Sequence, residues 1–93
     1  MMNEMELIRK AVNSDGDYVS FQRWNRGETV AYRVYVYNRW TAHIRTAFSA
    51  EVSLDFVSKN FERAVLAAGM EVFKDACLFM EIESGLDEEK GDS

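Results

Sequence analysis

The sequence predicts a small α+β protein in which an N-terminal helix precedes a three-stranded antiparallel sheet, and two C-terminal helices pack on one face of that sheet. The chain has 93 residues, enough for one hydrophobic core. Apolar residues recur every three or four positions over residues 4–13 and 53–83, as in helices, and alternate over residues 18–48, as in strands. We expect residues 1–84 to form one compact domain and residues 85–93 to form an acidic disordered tail.

The N-terminal helix is predicted over residues 4–13. Its apolar positions share one helical face, while the residues between them are polar; these positions are Met5, Ile8, Ala11 and Val12. Early acidic residues and later basic residues also suit the dipole of a helix. The sequence Asn-Ser-Asp-Gly-Asp at residues 13–17 is a dense turn signal and should end the helix.

Three strands are predicted next, over residues 18–25, 29–37 and 40–48. Gly27 suits the hairpin loop between the first two, and Asn38 with Arg39 suits a two-residue turn before the third. Such short connections predict an antiparallel meander. In the second strand, alternation directs four apolar or aromatic residues towards the helices: Val30, Tyr32, Val34 and Val36.

Two C-terminal helices complete the predicted fold. Ser53 is the expected N-cap of the first, and Gly69 is expected to end it in a left-handed conformation. The second should cover residues 70–83 and bury a stripe formed by Phe73, Ala76, Cys77 and Met80. Two alternatives remain open: residues 76–82 also alternate like a strand, and one unbroken helix over residues 53–83 would be long enough to imply a dimer.

The composition excludes several classes of function. One cysteine, Cys77, and one histidine, His43, cannot supply an intrachain disulfide or a zinc site of Cys/His type. The glycines form neither GxxxxGK nor GxGxxG. We therefore predict a protein that is not an enzyme and uses no metal or cofactor. Because no apolar stretch reaches the ~20 residues of a membrane span and the first residues lack a cationic signal segment, we expect a cytoplasmic protein without membrane contact.

The formal net charge is −5, but it is divided unevenly along the chain. Residues 18–46 contain five arginines and one glutamate, which gives +4. Residues 47–93 contain four basic and eleven acidic side chains, which gives −7, and the first seventeen residues contribute −2. The sequence thus combines a basic, aromatic sheet with an acidic C-terminal half, and each half suggests its own kind of partner.

The basic half suggests a nucleic-acid-binding module. Alternation places Arg33, Tyr35 and Tyr37 on the sheet face away from the helices, and we expect His43 and Arg45 of the next strand beside them. Aromatic rings beside arginines stack bases and neutralise phosphates in proteins that bind single strands. The alternative is that these side chains only cover one face of a thin sheet. Two further residues are candidates for partner contacts or for plain packing: Trp24 and Trp40.

The acidic half suggests a protein partner. Glu71, Asp75, Glu81 and Glu83 of the predicted second C-terminal helix are the candidate contacts. A surface of this charge can occupy a basic nucleic-acid channel by complementarity without being nucleic acid. The alternative is that these carboxylates only keep a small protein soluble. Because the two halves also complement each other, a homodimer is a third possibility.

The order of elements resembles the small acidic phage anti-CRISPR inhibitors, in particular the type that occupies the groove of Cas9 that recognises the PAM. The resemblance depends on a predicted opening helix with Leu7, Ile8 and Arg9, a turn at residues 13–17, a three-strand meander and acidic helices. It implies a non-enzymatic inhibitor, made by a phage or mobile element, that acts in the host cytoplasm. Its partner would be a bacterial defence or nucleic-acid-handling protein, whose arginines need carboxylates opposite them.

Overall fold

The computed structural model describes residues 4–82, which form a four-stranded antiparallel sheet followed by one long helix. Neighbouring strands in the chain are neighbours in the sheet, so the topology is a simple meander with the order β1-β2-β3-β4. The elements are β1 (Glu4–Val12), β2 (Tyr18–Asn25), β3 (Thr29–Asn38), β4 (His43–Ser53), a 3₁₀ turn (Leu54–Phe56) and α1 (Lys59–Phe79). The helix packs on one face of the sheet, mainly against β2 and β3.

The core lies between α1 and the sheet. On the sheet side of the core, four residues of β3 are buried: Val30, Tyr32, Val34 and Val36. Alternation in the second predicted strand directs these residues towards the helices, and this prediction is confirmed. The helix contributes Val65, Phe73 and Cys77. Residue 82, an isoleucine just beyond α1, is also buried in this core. One face of the sheet is therefore buried against α1, and the other face points away from the helix.

The predicted N-terminal helix is wrong, because residues 4–12 form the edge strand β1. Pairing with β2 shifts between Leu7 and Arg9, which leaves Ile8 as an extra residue in a β-bulge. The bulge lets Ile8 and Ala11, three positions apart, both contact the core. That spacing is also the spacing of a helical face, so the sequence pattern of a bulged strand was interpreted as a helix.

The prediction of two C-terminal helices is also wrong. A single helix, α1, continues through Gly69, although the sequence pattern predicts that a helix ends at this glycine. Gly69 is buried against Phe21 of β2, and a Cβ at this position would overlap the phenyl ring. The glycine permits close approach of helix and sheet. At 21 residues, α1 is about 31 Å long at ~1.5 Å per residue, which fits a molecule whose longest dimension is 40 Å.

The ends of α1 differ from the predicted ones as well. Ser58 is the N-cap, and its hydroxyl accepts a hydrogen bond from the backbone N–H of Phe61 at 3.1 Å. Ser53 caps the preceding 3₁₀ turn instead. At the other end the N–H of residue 82 donates to the carbonyl of Cys77 at 2.8 Å, and Glu81 adopts φ +60°. This is a Schellman motif with a glutamate at the left-handed position that usually holds glycine.

The turns explain how the hairpins are aligned. Asn13 accepts backbone hydrogen bonds from Asp15 and Asp17, and Gly27 with φ +86° closes the β2–β3 loop as predicted. The predicted two-residue turn after β3 is a longer loop over residues 39–42, stabilised by the side chain of Asn38. This loop starts β4 at residue 43 instead of 40. The predicted tail, residues 85–93, lies outside the described residues.

Candidate functional site

The face of the sheet that points away from α1, here called the open face, is the candidate site. Cross-strand partners share a face, so the register identifies its members along each strand. Within residues 4–82, no helix or loop element packs over its centre. Its central side chains are Tyr18, Ser20, Gln22 and Trp24 from β2 and Arg33, Tyr35 and Tyr37 from β3. Lys10 of β1 and Ile44 of β4 flank them.

At one end of the open face, two tyrosine rings stack across neighbouring strands. Tyr18 and Tyr37 are directly opposite each other across the β2–β3 pair, and their rings stack with centroids 5.1 Å apart and an angle of 16°. The ammonium group of Lys10 lies 5.0 Å from the centre of the Tyr18 ring. This geometry favours a cation–π contact. The stacked pair is therefore held in a fixed position beside a positive charge.

The ring of Trp24 is fixed by a chain of hydrogen bonds along β2. Its indole N–H donates to the side-chain oxygen of Gln22 at 2.9 Å, and the amide of Gln22 donates to the hydroxyl of Ser20, also at 2.9 Å. Period-two spacing in β2 puts all three side chains on the open face. Trp24, Tyr18 and Tyr35 line a shallow pocket of ≈ 170 Å³ with Gln22 and Ile44. The rings thus surround a cavity and are not packed into a core.

A second depression, next to this pocket, combines rings with arginines. Trp24, Arg26, Arg33 and Tyr35 line a space of ≈ 240 Å³. The guanidinium of Arg33 donates to the Tyr35 hydroxyl at 3.2 Å, a contact that raises the pKa of Arg33. The second Arg33 nitrogen lies 3.8 Å from a carboxylate oxygen of Glu51. Arg33 is thereby held in position, and its side chain remains 26% exposed.

The structure divides the residues predicted for nucleic-acid binding between the two faces. It brings Arg33, Tyr35 and Tyr37 together on the open face. Arg45 is directly opposite Val36 and therefore lies on the helix side of the sheet, as does His43, which is opposite Asn38. The predicted two-residue turn would pair Arg45 with Tyr32, also a helix-side residue, so the placement of Arg45 beside Tyr35 and Tyr37 was wrong irrespective of the loop length. The main additions to the face are Tyr18 and Trp24, and their signal was the period-two pattern Tyr-x-Ser-x-Gln-x-Trp in β2.

The acidic candidate residues do not form a concentrated negative surface within residues 4–82. Glu71, Asp75 and Glu81 are exposed, whereas Glu83 lies outside the described residues. The helix α1 carries three basic and three acidic side chains: Lys59, Arg63 and Lys74, and Glu62, Glu71 and Asp75. Its formal charge is therefore zero. The whole acidic excess of the C-terminal half, −7, therefore lies before and after α1 in the sequence.

Glu62 has an internal role on the helix side of the sheet. The hydroxyl of Tyr32 donates to its carboxylate at 2.8 Å and accepts from Arg23 at 3.1 Å. Burial raises the pKa of Tyr32, so this hydroxyl stays protonated and donates throughout the neutral range. The three side chains connect the first turn of α1 to β2 and β3. We assign this cluster to the packing of helix on sheet.

Other features of the described residues limit the kind of site. No group of three or more histidine, cysteine, aspartate or glutamate side chains in residues 4–82 is arranged to hold a metal ion. No helix in that part of the chain combines the length and hydropathy needed to cross a membrane. Comparison with known proteins gave no match to a protein-family model, to a curated protein or to a solved structure.

Proposed function

We propose that the open face binds single-stranded nucleic acid. The observation that carries the proposal is the shared depression in which the rings of Trp24 and Tyr35 lie beside the guanidinium groups of Arg26 and Arg33. Unpaired bases stack on aromatic rings, and guanidinium groups neutralise the phosphates between them. Both kinds of contact are available here at one place on an uncovered sheet.

The arrangement favours unpaired bases over a duplex. The rings lie on a sheet surface, where a base can stack only if it is not already stacked within a double helix. The long helix α1, which could have entered a major groove, packs on the opposite face and buries its apolar side. Stacking on a protein ring contributes about 1 to 3 kcal/mol per base. The rings of Trp24 and Tyr35 can therefore support a measurable affinity for single-stranded nucleic acid.

The charge distribution supports the same face. Although the chain as a whole has a formal charge of −5, residues 18–46 carry +4. Two of these arginines, Arg26 and Arg33, line the depression, and Lys10 adds a positive charge at the stacked tyrosines. The negative remainder of the molecule repels phosphates elsewhere. A strand of nucleic acid is therefore attracted to the open face in preference to the rest of the surface.

The test is a titration of labelled single-stranded oligonucleotides, oligo(dT) and oligo(U), followed by fluorescence anisotropy at two salt concentrations. We expect binding that weakens as salt rises and falls at least tenfold in Trp24→Ala, which corresponds to the loss of about 1.4 kcal/mol. Trp40→Ala is the matched control, because Trp40 is 78% exposed in the loop before β4 and lines neither depression of the open face. Equal affinity of both variants, or no binding by the wild type, contradicts the proposal.

The inhibitor function suggested by the sequence stays a prediction, and fewer structural observations support it than support nucleic-acid binding. Exposure of Glu71, Asp75 and Glu81 is a property it requires. However, α1 has no net charge, and the opening helix in the resemblance to anti-CRISPR proteins is the strand β1. A tagged pull-down from bacterial lysate with and without nuclease separates the two functions. A stoichiometric protein retained after nuclease treatment favours the inhibitor, and loss of all bound material favours the nucleic-acid-binding protein.

A further inference from the structure

The two depressions of the open face adjoin and form one path along β2. Trp24 and Tyr35 line both the space of ≈ 240 Å³ and the pocket of ≈ 170 Å³ next to it. Tyr18 also lines that pocket, and its ring stacks on Tyr37, which lines neither depression. The path therefore leads from the ring of Trp24 to the stacked rings of Tyr18 and Tyr37, here called the tyrosine pair.

The length of this path follows from the register of the strands. Trp24 lies six positions after Tyr18 in β2, and Tyr37 is directly opposite Tyr18. At ~3.3 Å per residue, the two ends of the path are about 20 Å apart. An extended single strand advances per nucleotide by roughly twice the ~3.4 Å spacing of a stacked strand. About three internucleotide steps therefore cover the path, which corresponds to four consecutive nucleotides.

Positive charges lie near both ends of the path. Arg26 and Arg33 line the depression beside Trp24, and the ammonium group of Lys10 lies 5.0 Å from the centre of one ring of the tyrosine pair. Between these ends β2 contributes Ser20 and Gln22, whose side chains bond to each other and contain no ring. Phosphates can therefore be neutralised at two places, and each place has rings on which a base can stack.

We propose that the open face recognises a segment of about four unpaired nucleotides, with one terminal base on the ring of Trp24 and the other on the tyrosine pair. This inference rests on the proposed function and specifies its substrate as a length of strand. Two binding sites that one ligand occupies together give the highest affinity when the length of the ligand matches their separation. A dinucleotide reaches only one of the two sites and loses the stacking contribution of the other.

The experiment measures how affinity depends on length. Unlabelled thymidine oligonucleotides of two to eight residues compete with labelled oligo(dT), followed by fluorescence anisotropy at low salt. From two to four residues we expect affinity to rise by about tenfold or more, and beyond four residues only by a small statistical factor. Tyr37→Ala should remove the rise between two and four residues. Val12→Ala is the matched control and should keep it, because Val12 is opposite Tyr18 on β1, is 58% exposed and carries no ring.

Two tetranucleotides of equal length and charge distinguish the spacing of bases from the number of phosphates. One carries thymine at its two ends and abasic sugars in the middle, and the other carries thymine in the middle and abasic sugars at its ends. We expect the wild type to bind the first about fivefold more tightly or better, and Tyr37→Ala to bind both equally. Far-ultraviolet circular dichroism verifies that each variant is folded.

Lys10→Gln, at an exposed position, provides a second variant in case Tyr37→Ala does not fold. For the tetranucleotide of thymidine it should reduce the slope of log affinity against log salt by about 0.7, the value for one phosphate contact of a single strand. For the dinucleotide it should reduce the slope by less.

Equal affinity of the wild type for the two abasic tetranucleotides overturns this inference. A rise between two and four residues that persists in folded Tyr37→Ala, or that Val12→Ala removes equally, also overturns it, as does an unchanged salt slope in Lys10→Gln. These outcomes leave the proposed function intact, because the protein still binds single strands. A wild type that binds no oligonucleotide of any length removes the proposed function and this inference together.

Discussion

Gly69 in the middle of α1 lies directly against the phenyl ring of Phe21 in β2, and the space that a Cβ would need at position 69 is already occupied by that ring. Both residues are buried, with Phe21 fully inaccessible to solvent. The contact sets how closely the helix approaches the sheet. It also explains why α1 tolerates a glycine at its centre, where alanine would otherwise favour helix formation by about 1 kcal/mol.

We expect Gly69→Ala to lower the free energy of unfolding by about 1 to 2 kcal/mol, because overpacking a tight contact costs more than the better helix propensity returns. Urea denaturation measures the change. In a Phe21→Leu background the ring is gone, so adding Gly69→Ala should cost much less or become favourable. An equal cost of Gly69→Ala in both backgrounds would mean that the Phe21 ring is not the cause.

The same glycine shows why the C-terminal half was predicted incorrectly. From sequence alone, a glycine between two helical patterns is most simply interpreted as a terminator. Only the position of Phe21, 48 residues earlier in the chain, reveals that the glycine makes room for a ring. The actual end of α1 has a glutamate at the left-handed position, Glu81, which local propensity disfavours. Tertiary packing outweighed the local signals at both positions.

The sheet was predictable where local signals determine it and was not predictable where the partner strand determines it. Strand β2 and the hairpin at Gly27 agree with prediction because period-two burial and a positive-φ glycine are local signals. Bulges are not local signals, since they depend on the partner strand, and the bulge at Ile8 in β1 gave that strand a helical spacing. The face of Arg45 depended on which β3 residue lies opposite it, and that residue is Val36 of the helix side. Thus three of the four predicted nucleic-acid contacts share a face and the fourth does not.

Glu81 leads to a prediction about stability. It adopts φ +60° at the end of α1, a conformation that costs a non-glycine residue about 1 kcal/mol. Glu81→Gly should therefore raise the free energy of unfolding by up to about 1 kcal/mol, partly offset by the greater freedom of glycine in the unfolded chain. Glu71→Gly, an exposed position inside α1, is the control and should lower it by about 1 kcal/mol. Thermal denaturation of both variants checks that the free energy of unfolding rises in Glu81→Gly and falls in Glu71→Gly.

Asp17 leads to a prediction about pH. Its carboxylate accepts a hydrogen bond from the backbone N–H of Arg39 at 2.7 Å, which connects the β1–β2 turn to the β3–β4 loop. This bond, followed by the amide of Asn13, lowers the pKa of Asp17 below its usual value. A carboxyl group whose pKa is lower in the folded state stabilises the fold above the unfolded pKa and loses that contribution as pH falls through the folded pKa.

Asp17→Asn should therefore reduce stability at neutral pH and reduce it less at pH values below the lowered pKa. The measurement is urea denaturation of wild type and variant at several pH values between neutral and strongly acidic. Asp15→Asn in the same turn is the control, since Asp15 is exposed and its backbone, not its carboxylate, bonds to Asn13. A difference between Asp17→Asn and wild type that does not change with pH would exclude the carboxylate as the stabilising group.

The last prediction concerns Glu51, the carboxylate beside Arg33 on the open face. A carboxylate oxygen of Glu51 lies 3.8 Å from Arg33, and a second one accepts a hydrogen bond from Thr29 at 2.8 Å. Glu51 both orients the guanidinium and repels an incoming phosphate. At an exposed position the repulsion is worth about 1 kcal/mol at a separation of ~4 Å in water. Because Arg33 is also held by the Tyr35 hydroxyl, it should keep its position without Glu51.

We therefore expect Glu51→Gln to bind single-stranded oligonucleotides roughly fivefold more tightly at low salt, since about 1 kcal/mol corresponds to that factor. The advantage should shrink as salt screens the charges. Asp55→Asn is the control, because it removes the same charge in the 3₁₀ turn, away from the open face. If both variants gain equally, the effect comes from net charge and not from the site. If Glu51→Gln binds more weakly, Glu51 acts mainly by orienting Arg33, and the phosphate contact of Arg33 depends on that orientation.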